Sequence, residues 1–114
     1  MFIAMNRFRV IKENIEDFEQ LWIARETFLH EMAGFIAFHL LKGPEREDHQ
    51  LYASHTVWRS QADFKAWTES DAFSKAHAKA GERKVPIIGG AEFEGFNVVQ
   101  EVKPDGSMVL HAAE

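Results

Sequence analysis

A chain of 114 residues that is 46% hydrophobic and 27% charged, with ten Phe and three Trp, has the composition of a globular protein built on one core, since two domains would each be too small. The net charge of -5 and a pI near 5.7 weigh against nucleic acid, whose phosphates are bound by an excess of Lys and Arg. No apolar run approaches the ~20 residues of a membrane span and no signal-peptide pattern opens the chain, so the expected setting is the cytoplasm. The absence of Cys excludes disulfides, thiolate metal sites and a Cys nucleophile, and leaves His, Asp and Glu as metal donors.

In chain order, "FIAMNRFRV" alternates so that Phe2, Ala4, Asn6, Phe8 and Val10 share one face, as in a strand, with Asn6 the polar intruder. From Asn14, a candidate N-cap with Asp17 at the capping-box position, "IEDFEQLWIARETFLHEMAG" places Ile15, Phe18, Trp22 and Leu29 at helical spacing, with Leu21 and Phe28 widening the stripe. Gly34 is expected to stop this helix, and Arg25 falls in the middle of its apolar arc. "GFIAFHLLKG" and "HQLYASHTVWRS" read as two strands joined through the polar turn "GPEREDH". Ser60 is placed to cap "QADFKAW", and Ser70 to cap a second helix, "DAFSKAHAKAG", closed by Gly81, on which Phe73, Ala76, His77 and Ala80 share a face. "ERKVPIIGG" leads to a last strand near residues 91–102, followed by a turn and a tail.

This β, α, β, β, α, β order is the ferredoxin-like pattern of the α+β class, an antiparallel four-stranded sheet with helices on one face. The other face, carrying Ile3, Met5 and Ile11 around Arg7 and Arg9, and either Phe35, Ala37 and Leu41 or Ile36, Phe38 and Leu40, is too apolar to stay wet, so a homodimer closed sheet to sheet is expected, a dimeric α+β barrel. The expected organisation is one domain over 1–102 and a tail over 103–114.

Asn6, Arg25 and His77 each interrupt a buried stripe, and an unpaired buried polar group costs roughly 1–3 kcal/mol, more for a charge. Each has an ordinary explanation: a backbone partner for Asn6, a carboxylate such as Glu26 or Glu92 for Arg25, a carbonyl for His77. Together they fit one flat, mostly apolar ligand that carries a metal and a carboxylate. Imidazole is the commonest protein ligand to haem iron, and Ala76 and Ala80 leave room for a broad ring beside His77. Arg25 would meet a propionate, Asn6 would offer its amide to a gas ligand, and Trp67 would supply a rigid flat surface. The Ser70 break leaves the angle between the helices of Trp67 and His77 free.

The motifs "NRF", "GF" at 34–35, "TVWRSQADFKAW", "SDAFSKAH" and "PII" resemble the IsdG-type haem-degrading monooxygenases of the antibiotic biosynthesis monooxygenase superfamily over about residues 1–102. The resemblance implies that the catalytic Asn, Trp and His of that family fall on Asn6, Trp67 and His77 and its haem-side Arg on Arg25, with Trp22 lining the pocket where the family often has Phe. It implies haem as both cofactor and substrate, His77 as axial ligand to its iron, dioxygen, and an external reductant or reductase. Trp67 would buckle the ring, and ring opening would release iron and a linear tetrapyrrole. Two other functions use the same cavity: a cofactor-independent quinol or polyaromatic monooxygenase, and a non-catalytic haem carrier. His39, His49 and His55 match no tight metal motif, "PEREDH" reads as a solvated loop, and His111 has no context.

Overall fold

The computed structural model describes residues 1–25, 27–77 and 86–111, and of His77 the backbone alone. The first strand, β1 (Phe2–Val10), forms as its alternation predicts: Phe2, Ala4, Phe8 and Val10 are buried on one face, and Asn6 between them is half-buried. Antiparallel to it lie β3 (Gln50–Trp58) on one side and β4 (Glu92–Asn97) on the other, with β2 (Phe35–Glu45) outside β3, giving the order β2-β3-β1-β4. Three helices, α1 (Ile15–Ala24), α2 (Gln61–Thr68) and α3 (Asp71–His77), pack on a single face of this sheet. The fold is therefore the expected ferredoxin-like α+β arrangement.

A register shift between Phe35 and Ala37 settles which residues of β2 face the helices. The extra residue, Ile36, is half-exposed at the bulge, so Phe35 before it and Phe38 and Leu40 after it all pack inward. Ala37 and Leu41 turn outward, in register with Val57 and Ala53 of β3. At the start of β2, Gly34 adopts φ +82°, and a side chain there would run into the Asp63 carboxylate.

The core has two centres. Phe8, Val10, Phe18 and Tyr52 form one under α1, with Phe18 and Tyr52 4.9 Å apart between ring centroids. Phe2, Ala4, Leu29, Trp58 and Trp67 form the other under α2 and α3. This division explains the main departure from the sequence reading. The helix expected to run from Asn14 to Gly34 ends at Ala24; Arg25 is extended at ψ 127°, Phe28 turns left-handed at φ 61°, and Leu29–Glu31 make one 3₁₀ turn. Trp22 belongs to the first centre and Leu29 to the second, and the chain uncoils between them to step from one to the other. The capping box is also absent: Asn14 makes no cap hydrogen bond and instead donates its Nδ2 to Asp17 Oδ2 at 3.3 Å.

Ser60 and Ser70 behave as expected. Ser60 Oγ accepts from the Asp63 N–H at 3.1 Å, and Ser70 Oγ accepts from the Phe73 N–H at 3.0 Å while donating to the Trp67 carbonyl at 2.6 Å. The expected end of the last helix at Gly81 lies outside the described residues. "PII" lies against β1: Pro86 O accepts from the Ile11 N–H at 3.0 Å and Ile87 bridges Val10. The last strand is two strands rather than one over 91–102. β4 stops at Asn97, and β5 (Gln100–Val102) pairs with β6 (Met108–Leu110) in a hairpin whose turn is held by Asp105 Oδ1 and Gly106 at φ +86°. The boundary expected at 102 falls inside that hairpin. Among the described residues no helix is long and apolar enough to cross a membrane.

Candidate active site

Between the two core centres the inner face of the sheet and the helices do not close completely, and a cavity of about 270 Å³ remains. Its floor is the sheet: Ala4 and Asn6 from β1, Ser54 and Thr56 from β3, Phe38 from β2 and Phe93 from β4. Trp22, Arg25, Thr27 and Leu29 wall it on the side where α1 uncoils, and Phe64, Trp67, Thr68, Phe73 and Ala76 on the side of α2 and α3. Most of the lining is apolar, with a few polar groups at set points, the usual make-up of a small-molecule site.

Each wall has a structural cause. Trp67 is 6% exposed, stacked against Trp58 at 6.2 Å with 29° between the rings and met edge-on by Phe73 at 5.4 Å. A large ring so backed presents a surface that does not yield. Phe64 stacks almost parallel on Phe93, at 5.8 Å and 9°, and Phe93 is half-exposed at the edge of the sheet. Gly95, two residues along β4, leaves space for the Phe2 ring, which would lie 2.6 Å from a side-chain carbon placed there.

Arg25 does not sit in the arc of a continuous helix, because the helix ends one residue earlier. Its guanidinium carbon lies 4.5 Å from the centroid of the Trp22 ring, a cation–π contact, and Trp22 in turn stacks on Phe38 at 5.7 Å. Among the described residues no carboxylate pairs with Arg25, Glu92 included, and Glu26 lies outside them. Partial burial lowers the guanidinium pKa from its ordinary value while leaving it charged at neutral pH. The result is a half-buried cation with capacity to bind an anion.

The polar floor is more unusual. Thr56 donates to the Ala4 carbonyl at 3.3 Å, so its hydroxyl is engaged. Among the described residues the Asn6 amide and the Ser54 hydroxyl have no hydrogen-bond partner, although Ser54 is 6% exposed. Neither group is sealed from the cavity, so each is available to a bound ligand or a water there.

Asn6, Trp22, Arg25 and Trp67, each singled out from the sequence, thus line one cavity. His77 closes α3 next to Ala76, which lines it; the His77 side chain and Ala80 lie outside what is described. Ser54, Thr56, Thr27, Phe38, Phe64 and Phe93 were not anticipated. The floor residues among them follow from the pairing of β1 with its neighbours, which a single sequence does not display. Among the described residues no cluster of three or more His, Asp or Glu forms a metal site.

Residues 1–79 match the family model of the antibiotic biosynthesis monooxygenases. The chain belongs to that family. Among its relatives is a haem oxygenase (staphylobilin-producing) of Staphylococcus haemolyticus, 30% identical over 95 residues that cover 77% of this chain and 86% of the relative. A haem oxygenase (mycobilin-producing) of Mycobacterium tuberculosis is 30% identical over 90 residues, 79% of this chain and 81% of the relative. In structure, the chain resembles the haem degrader MhuD of M. tuberculosis, solved with two haems in its active site, at a TM-score of 0.68 and 28% identity over 90% of this chain and all of that one. The resemblance to the haem-degrading members drawn from the motifs is borne out.

Proposed function

We propose that this family member is a haem oxygenase that binds haem in the cavity between the two core centres and opens the porphyrin ring with dioxygen and electrons from an external donor, yielding iron and a linear tetrapyrrole. The observation that carries the reading is the convergence of Asn6, Trp22, Arg25 and Trp67 on one cavity, in a chain whose relatives are named for haem degradation. The residues present fit the ligand: apolar and aromatic walls suit a macrocycle, Arg25 is a cation without a carboxylate among the described residues, and the Asn6 amide is unspent.

Haem, once bound, supplies the iron at which dioxygen is activated. The chain's own groups divide the remaining work. His77, next in sequence to the cavity-lining Ala76, would hold the iron through its imidazole. Arg25, braced on Trp22, would pair with a propionate and fix the ring's orientation. Trp67, backed by Trp58 and Phe73, would supply the unyielding wall on which the macrocycle rests, and protein-imposed strain on the ring is a lever on haem chemistry. Asn6, on the opposing floor, would donate its amide N–H to dioxygen. The reading carries with it a cytoplasmic homodimer.

Aerobic incubation of the haemin-loaded protein with ascorbate tests the proposal, with mass spectrometry of the pigment formed. Loss of the Soret band with appearance of an oxygenated open-chain tetrapyrrole is the expected result. A stable Soret band would mark a haem carrier, and a protein that takes up no haemin would leave the cavity to an aromatic or quinol substrate.

A further inference from the structure

Strand register places two unpaired polar side chains together at one point of the cavity floor. Asn6 of β1 is the direct cross-strand partner of Ser54 on β3, and the inner-face row through them reads Leu40, Ser54, Asn6, Phe93. Opposed residues of neighbouring strands carry their Cβ atoms about 4.5–5.5 Å apart, so one small ligand atom above the pair is within reach of both. The next row reads Phe38, Thr56, Ala4, Gly95, and there the hydroxyl is satisfied by a carbonyl of its own sheet. The Ser54 hydroxyl has no such outlet, although its residue is among the most buried polar ones of the fold. An alanine would fill the position without leaving a hydroxyl unpaired.

Resting on the haem reading, we propose that Ser54 is a second hydrogen-bonding residue of the site, acting beside Asn6 on the same small oxygen-containing group held over the sheet. A hydroxyl both donates and accepts, so it complements an amide that donates: the pair can hold a diatomic ligand or a water at one place and in one orientation, where Asn6 alone fixes a single contact. Ser54 thereby sets how a small molecule is held between the sheet and the bound ring.

Cyanide, a diatomic that accepts hydrogen bonds, is the probe, titrated into the ferric haemin complex of the wild type and of Ser54→Ala, Ser54→Thr, Asn6→Ala and the Asn6→Ala/Ser54→Ala pair. Ser54→Ala is expected to weaken cyanide binding about tenfold, the size of one lost hydrogen bond, with haemin affinity within about threefold. Ser54→Thr should restore most of the loss, and the double variant should lose less than the product of the singles, because the two groups share one target. Cyanide affinity unchanged in Ser54→Ala while the wild type binds haemin overturns the proposal. The ligand-free protein gives a second arm: with its hydroxyl unpaired, Ser54→Ala should melt no lower than the wild type. A melting temperature lower by about 4 °C or more, the effect of about 1 kcal/mol in a domain of this size, would assign the hydroxyl a structural task and equally overturn it. Failure of the haem reading itself shows separately, as a wild type with no saturable Soret shift.

Discussion

Asn6 was legible as a candidate because a strict alternation makes any polar residue on the inner face visible, and Arg25 because it broke an apolar stripe. Trp67 was visible mainly through the resemblance, since a lone Trp at a helix end reads equally well as core. It is in fact both, 6% exposed and facing the cavity. Removing it entirely would cost about 3–5 kcal/mol of folding stability, so Trp67→Phe is the cleaner variant. That protein should still bind haemin and should degrade it more slowly, on the order of tenfold or more if ring distortion depends on the larger surface; stopped-flow decay of the Soret band at wild-type rate would remove Trp67 from the proposed mechanism. Ser54 stayed hidden for a different reason. In "QLYASHTVW" the small residues Ala53 and Ser54 adjoin, and which of them faces the helices depends on pairing with a strand 48 positions away, Asn6↔Ser54.

Tyr52 offers a residue-scale check on the first core centre. Its hydroxyl donates to Glu19 in the middle of α1, and burial first, then that carboxylate, push its pKa above the ordinary value of 10.0. The folded state therefore holds the phenolic proton more tightly than the unfolded state does. The resulting stability is fully present below pH 10 and is lost as pH rises through the folded-state value. Because this is the chain's one tyrosine, absorbance at 295 nm reads it directly. The phenolate signal should lag behind a free tyrosine and appear together with alkaline loss of the near-ultraviolet dichroism. A midpoint near pH 10 with the fold intact would contradict the buried Tyr52–Glu19 contact.

Among the elements, strands and short helices were legible where one signal decided them: alternation for β1, a capping serine for α2 and α3. Periodicity alone carries the first helix on to Gly34, because it records that Phe28 and Leu29 are apolar, not that Leu29 belongs to a different core centre from Trp22. Beyond the end of α1 at Ala24, Arg25 and Thr27 stand on one side of the cavity. On the opposite side the angle between α2 and α3 rests on Ser70, whose hydroxyl joins the Trp67 carbonyl to the Phe73 N–H. Ser70→Ala should lower stability by roughly 0.5–2 kcal/mol in denaturant melts and weaken haemin affinity as well, because the same hydroxyl ties the Trp67 end of α2 to Phe73 of α3, and both rings line the cavity. Ser70→Thr, whose hydroxyl can both accept from Phe73 and donate to the Trp67 carbonyl, should recover most of the stability. Ser70→Ala with wild-type haemin affinity would show that the helix angle is held elsewhere.

For the whole molecule, the outer face of the sheet is the largest feature without a role inside one chain. Ile3 and Met5 of β1, Val57 of β3, Ala37 and Leu41 of β2 and Phe96 of β4 lie on it by register, around the His39 and His55 rings at 5.8 Å and the Arg7–Glu94 pair at 2.6 Å. Apolar side chains gathered on one open face of a sheet are characteristic of an association site. The proposed homodimer covers it, and light scattering should return twice the 13.1 kDa chain mass at micromolar concentration. Val57→Glu should reduce it to one chain by burying a charge between the sheets. A monomeric wild type would remove the dimer from the account. Of the β5–β6 hairpin, whose Val102, Met108 and Leu110 are more than half exposed, β5 falls within the strand expected over 91–102, while β6 is not legible because three residues carry too little alternation to register.

All of these scales meet in the claim that haem occupies the cavity and is held by His77. The most direct test is a haemin titration followed by absorbance, with the wild type and His77→Ala side by side. The account predicts a saturable Soret shift in the wild type and its loss or displacement to a different spectrum in His77→Ala; identical spectra for the two proteins, or the spectrum of free haemin in both, would contradict it.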